Sequence, residues 1–234
     1  MAVGRFRHFG NRAKARTRLD RDGGGVHRHA MTLPPPPAIG ADIQALIFDC
    51  DGTLADTFAA HFRTFREALA AYAVEFTVEF YAARVGLSRR QLLAALEAET
   101  GVAIDDEDIR VRSPAMFFNH VDAIRAVPLS ADLVRQHHGR LRLAVASAGQ
   151  RPVVTASLKA IGLMDRFDTI VTIEDTGVPK PAPDLFLRAA GNMGIAPGRC
   201  HVFEDSDEGI EAAHRAGMTF TDIRAYYRSD PATW

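Results

Sequence analysis

Ala45-Leu46-Ile47-Phe48-Asp49-Cys50-Asp51-Gly52-Thr53-Leu54 decides how the rest of the chain is read. Four apolar residues in unbroken succession predict a strand buried on both faces, as in a parallel sheet. Two aspartates then bracket Cys50 where the strand stops, and Gly52 permits a tight turn out of it.

Similar apolar runs recur downstream: Leu143-Ala144-Val145-Ala146, Thr169-Ile170-Val171-Thr172, Cys200-His201-Val202-Phe203 and, more weakly, Met218-Thr219-Phe220-Thr221. Helical patterns separate the later runs, over Pro152 to Ile161, Pro183 to Met193 and Glu208 to Ala216. Strands and helices alternating at this spacing predict an α/β fold, a Rossmann-like open parallel sheet with right-handed crossovers. The stretch from 58 to 127 breaks the alternation. Phe62, Phe65, Leu69 and Tyr72 recur at helical spacing, as do Leu92, Leu93 and Leu96, and Ala115 to Ile124 predicts a third helix with Ser113-Pro114 near its start. No strand is expected between these helices. The chain is therefore divided into a core, 41–57 and 128–234, and an inserted all-helical cap, 58–127. Residues 1–40 are rich in Arg, His and Gly and then carry Pro34 to Pro37. Their apolar content is too low to offset ordering entropy, and a disordered tail is expected.

The bulk composition narrows the function. With 234 residues, 47% of them hydrophobic, the chain is long enough for a sizeable core. A net charge of −1 gives no general attraction to nucleic acid or an anionic membrane. Two cysteines, both inside apolar runs, fit a reducing compartment and a cytoplasmic protein. No stretch reaches the roughly 18 apolar residues that a membrane span requires.

Active sites of open parallel sheets lie beyond the carboxyl ends of the strands. The first run delivers Asp49 and Asp51 there, the second Ser147, the loop after the third Lys180, and the fourth Glu204-Asp205. Each has an ordinary explanation on its own. Asp51-Gly52 is a common turn, Asp205 or Ser206 a helix cap, and Lys180 a loop cation. Their arrival at four strand ends in this order points instead to phosphoryl transfer. Asp49 would attack phosphorus, and Asp51 would serve as acid and base. Ser147 and Lys180 would bind the phosphoryl oxygens. Asp49, Asp205, Glu204 and the Asp51 carbonyl would hold Mg²⁺.

These motifs resemble those of the haloacid-dehalogenase-like hydrolase superfamily: Asp49-Cys50-Asp51-Gly52-Thr53-Leu54, then Ser147, Lys180 and Glu204-Asp205. The resemblance spans residues 43 to 224. Lys180-Pro181-Ala182-Pro183-Asp184, Phe203 to Ser206 and Gly209-Ile210 are similar to the β-phosphoglucomutase-like group. Ala212-Ala213 through Met218 looks most like sugar-phosphate phosphatases acting on fructose 1-phosphate. The resemblance implies an Mg²⁺-dependent phosphosugar phosphatase working through an aspartyl-phosphate, with Asp49 and Asp51 catalytic and Asp49, Asp51, Glu204 and Asp205 around the metal. It implies Ser147, Ala148 and Lys180 as phosphate or substrate binders, and a Lys180–Pro181 peptide that is often cis. In the cap, His61 matches a histidine facing the site, and Arg89 matches the mutase arginine that holds the non-transferring phosphate. Ser88 and Gln91 also read as a helix capping box. Val85 stands where mutases often carry lysine, and Arg151 could contact substrate or start a helix. A monomer with a small phosphorylated sugar as its partner is expected, and no nucleic-acid or membrane partner. The rival readings are a β-phosphoglucomutase, a non-enzymatic phosphosugar-binding protein, and a dehalogenase, which normally lacks the Asp at position 51.

Overall fold

The computed structural model describes residues 34–234. Most of the tail expected to be disordered, residues 1–33, lies outside the described residues. Residues 34–40 form neither helix nor strand, and Ile39 packs against the core.

The strands are β1 (Ala45–Phe48), β2 (Ala55–Asp56), β3 (Arg125–Ala126), β4 (Arg142–Ala146), β5 (Thr169–Val171), β6 (Cys200–Glu204) and β7 (Thr219–Asp222). The helices are α1 (Phe58–Leu69), α2 (Val78–Ala82), α3 (Arg89–Thr100), α4 (Asp106–Phe117), α5 (Pro128–His137), α6 (Arg151–Ala160), α7 (Ile173–Thr176), α8 (Asp184–Met193) and α9 (Asp207–Arg215).

Five strands form a parallel sheet in the order β5-β4-β1-β6-β7. All four residues of β1 are fully buried, for the reason its sequence suggested. Ala45 and Ile47 face one layer, where α8 and α9 pack, while Leu46 and Phe48 face the other, against α5 and α6. Alternation along the pleat puts successive side chains on opposite faces. Each large side chain so buried contributes about 1.5–3 kcal/mol. Phe48 also stacks on Phe203 at 4.8 Å. After β1 the chain builds β4 and β5 to one side, then crosses to build β6 and β7 on the other. That reversal leaves a crevice at the carboxyl end of β1, where Asp49 begins.

The insert has its own apolar cluster. Phe62 and Leu69 of α1 meet Leu92, Leu93 and Leu96 of α3, with Phe76 and Tyr81 between them. Where the chain leaves and re-enters the core, β2 and β3 pair antiparallel, a two-stranded connection that the helical periodicity did not reveal. The third helix differs from its expected position. It begins at Asp106, capped by Asp105, whose carboxylate accepts from the Glu107 and Asp108 N–H groups. Asp106, Glu107 and Asp108 complement the helix dipole in its first turn. Pro114 therefore sits in the last turn, and a 3₁₀ turn over Phe118–Ala123 replaces the predicted helix end. No helix among the described residues is long and apolar enough to cross a membrane.

Candidate active site

The turn after β1 is tied to itself and to β6. The Asp49 N–H donates to the Phe203 carbonyl at 3.0 Å, and the Leu54 and Ala55 N–H groups both donate to the Cys50 carbonyl at 3.0 Å. Gly52 takes φ +80°, and a Cβ there would lie 2.0 Å from Asp205 Oδ2. Only glycine allows both the turn and the approach of Asp205.

Asp49 is almost buried, and its Oδ1 accepts from Lys180 Nζ at 2.5 Å. Lys180 Nζ also donates to Glu204 Oε1 at 3.0 Å. The Lys180–Pro181 peptide is cis. Asp205 accepts from the Thr53 hydroxyl at 3.3 Å. Asp51 has partners of its own. Its Oδ1 accepts from the Thr57 hydroxyl at 2.7 Å and lies 3.3 Å from His61 Nε2. Ser147 is buried, and its Oγ accepts from the Gly149 N–H at 3.0 Å, which leaves the hydroxyl proton to donate. A Cβ on Gly149 would sit 3.1 Å from Ser147 Oγ and 3.4 Å from Asp51 Oδ2, so the second strand end reaches the first. Ala148 is exposed at the bend that follows Ser147.

Burial pushes the Asp49 carboxyl well above the usual range, with Glu204, Asp205 and Asp51 adding to the rise and Lys180 opposing it. Asp205 is pushed up to about 8, first by burial and then by Glu204. Burial would lower Lys180, but its ion pairs with Asp49 and Glu204 outweigh that and raise it. Burial raises Asp51 too, yet the hydrogen bonds from His61 and Thr57 leave it below the usual carboxylate range. Four carboxylates thus face one ammonium. Oxygens of Asp49, Glu204 and Asp205 lie within 4.8 Å of one another. A cluster of hard carboxylate oxygens too numerous for one lysine to neutralise fits a divalent cation.

The pKa shifts carry a sign that can be checked. Asp49 and Asp205 hold protons in the folded state at pH values where the unfolded chain has released them. Stability of the metal-free protein is therefore expected to fall as pH rises above about 4, and for Asp205 this loss continues toward about 8, by up to about 1.4 kcal/mol per pH unit. Thermal melts in chelator, repeated with added Mg²⁺, measure it. The metal is expected to raise Tm, and to raise it more at pH 8 than at pH 5.5. A Tm that rises with pH in chelator would refute the assignment.

Glu204 is less free than its sequence suggested. Its Oε1 accepts from Lys180 and from the Ser206 hydroxyl at 2.8 Å, and its Oε2 accepts from the Asp205 N–H at 2.7 Å. It orients Lys180 and the loop more than it offers an open metal ligand. Arg89 is not brought to the site. Its guanidinium grips Asp106 through Nε at 2.8 Å and a second nitrogen at 3.2 Å. Ser88 and Gln91 form the capping box behind it. Arg151 starts α6 and pairs with Asp175 of α7. His61 is brought in, and it also lies 4.9 Å from the Phe117 ring. Thr53, a motif residue with no role assigned from the sequence, and Thr57, outside the motif, both contact site carboxylates. Their only signal was a hydroxyl residue close behind two candidate carboxylates.

The family model for Haloacid dehalogenase-like hydrolase matches residues 46–223. The chain belongs to that family. It is 35% identical over 180 residues to the Fructose-1-phosphate phosphatase YqaB of Escherichia coli, covering 76% of this chain and 95% of the relative. It is 26% identical to the Beta-phosphoglucomutase of Bacillus subtilis, covering 75% of this chain and 81% of that one. Among solved structures, CbbY from Rhodobacter sphaeroides in complex with Xylulose-(1,5)bisphosphate superposes with a TM-score of 0.64 at 27% identity, covering 76% of this chain and 84% of that one. As a haloacid dehalogenase-like hydrolase with phosphatases among its relatives, the chain is a phosphoric monoester hydrolase.

Proposed function

We propose that this hydrolase removes phosphate from a small phosphosugar of the fructose 1-phosphate kind, with Mg²⁺ and an aspartyl-phosphate on Asp49. The observation that carries the reading is the Lys180 contact with both Asp49 and Glu204, which holds the nucleophile and the phosphate-binding cation together. Lys180 and the Ser147 hydroxyl bind two phosphoryl oxygens, and Asp49 attacks phosphorus. The sugar oxygen leaves with a proton from Asp51, which is held as the carboxylate without substrate and must take that proton up as the phosphate dianion binds beside it. Water then attacks the aspartyl-phosphate, Asp51 removes its proton, and phosphate departs. Mg²⁺ held by Asp49, Asp205 and the Asp51 carbonyl would supply the positive charge that lets one anion approach another. Thr57 and His61 orient Asp51 for both proton steps.

The pairing of Arg89 with Asp106 supports hydrolysis over mutase action, because the group matching the mutase phosphate clamp is already satisfied within the cap. Val85 adds no cation nearby. Purified protein with Mg²⁺ is expected to release inorganic phosphate from fructose 1-phosphate. With β-glucose 1-phosphate it is expected to give glucose and phosphate. Accumulation of glucose 6-phosphate without free phosphate would establish the mutase instead.

A further inference from the structure

Beside Asp205 and Gly52 opens a cleft of about 530 Å³. The core forms one wall. The cap forms a second with Val85 and Leu87, two large apolar residues left 41% and 44% exposed. The third wall comes from residues 224–234, which follow the region matched by the family.

That third wall is built in, not draped. Asp56, almost buried at the crossing into the cap, accepts through Oδ2 from the Tyr227 hydroxyl at 2.6 Å and from Ser229 Oγ at 2.7 Å. Its Oδ1 accepts from the Phe58 N–H at 3.2 Å. Ser229 Oγ in turn accepts from Trp234 Nε1 at 2.7 Å. The indole lies 5.9 Å from the Phe58 ring and 5.5 Å from the Tyr81 ring, edge-on to the latter. A continuous path therefore runs from Asp56 at the cap crossing, through the Ser229 hydroxyl, to the Trp234 indole and its aromatic contacts with the cap core, and the Tyr227 hydroxyl adds a second tie to Asp56. An indole anchored at its polar end and packed on two rings is a rigid surface with little rotamer freedom to lose on binding.

We propose that residues 224–234 are a specificity wall of this active site. Trp234, which lines the cleft together with Val85 and Leu87, sets the size of the ester that fits between core and cap. The chain closes a side of its cleft with a segment beyond the family region, and it fastens that segment to the cap through Trp234. Compact phosphosugars fit, and esters with bulky leaving groups meet the indole. The inference rests on the phosphatase reading only for its substrates.

The chain holds one tryptophan, so its fluorescence reports on the wall directly. In the ligand-free protein, Trp234 is expected to be shielded from acrylamide relative to free N-acetyltryptophanamide, and Ser229→Ala is expected to increase its quenching. An indole quenched as freely as the free compound overturns the proposal, whatever the enzyme hydrolyses. The second measurement is kcat/KM over fructose 1-phosphate and progressively bulkier aryl phosphates. Trp234→Ala is expected to shift the ratio of bulky to compact substrate by at least about tenfold toward the bulky ones, and Trp234→Phe to restore most of the selectivity. An unchanged ratio, or equal loss on every ester, overturns the proposal. Ser229→Ala is a milder change and is expected to move the ratio the same way, should Trp234→Ala fold poorly. Failure of the wild-type enzyme on every ester counts against the phosphatase reading, and the quenching result then decides the wall alone.

Discussion

Asp49→Asn is expected to lower turnover by at least about 10⁴-fold, the scale seen when a covalent nucleophile is removed, while leaving the fold intact. The amide keeps the size and shape of the carboxylate but cannot form the acyl-phosphate. Residual rate would come from Lys180, Ser147 and the metal acting on water. Stability should move the other way from activity. Ionised Asp49 sits in a buried site among Glu204, Asp205 and Asp51, and its raised pKa means that the fold disfavours its charge. Asparagine removes that cost, and Lys180 retains Glu204 as its partner at 3.0 Å. Metal-free Asp49→Asn is therefore expected to melt no lower than the wild-type protein at pH 8. Phosphate release and a thermal melt on the same preparation check both halves. Turnover within tenfold of wild type would remove Asp49 from the role of nucleophile.

The fold was legible because β1 is buried on both faces, so its unbroken apolar run had one reading. The same holds for β4 and β6. The site followed from topology, since residues at parallel strand ends share a rim whatever lies between them. Legibility failed where partners are distant in sequence or identical in chemistry. Glu204 and Asp205 are adjacent acids, and nothing in their order says that Glu204 would be taken up by Lys180, Ser206 and the Asp205 N–H. Arg89 read as a phosphate clamp because its true partner, Asp106, lies on another helix. Pro114 resembles a helix start, but the cap at Asp105 and the three acids behind it begin α4 well before it, and the proline falls in the last turn. The wall at Trp234 depends on Tyr227 and Ser229 reaching Asp56 across most of the chain, a contact with no local pattern at all.

Gly209 offers the sharpest contest between local and tertiary effects. It is the third residue of α9, and Ser206 caps that helix by accepting from its N–H at 3.0 Å. Helix propensity alone says that alanine there should stabilise by up to about 1 kcal/mol. The site says otherwise. A Cβ at 209 would lie 1.6 Å from Glu204 Oε1 and 2.1 Å from its Cδ. Glu204 has nowhere to go without releasing Lys180, the Ser206 hydroxyl and the Asp205 N–H, the three groups that its carboxylate holds. Leaving buried partners of a charge unpaired costs about 3–5 kcal/mol. Gly209→Ala is thus expected to destabilise the protein by roughly that amount, against the propensity scale. It should also cut kcat/KM by about 100-fold or more as Lys180 loses its position beside Asp49. Denaturant melts and phosphate release measure the two effects. The double variant Glu204→Ala with Gly209→Ala tests the cause, because removing the glutamate side chain removes the clash. Its stability loss is expected to fall short of the sum of the two single losses by more than about 1 kcal/mol, the signature of directly coupled sites. Additive losses would mean that Gly209 matters for the helix and not for Glu204, and the account of how the fourth strand end positions Lys180 would fall with it.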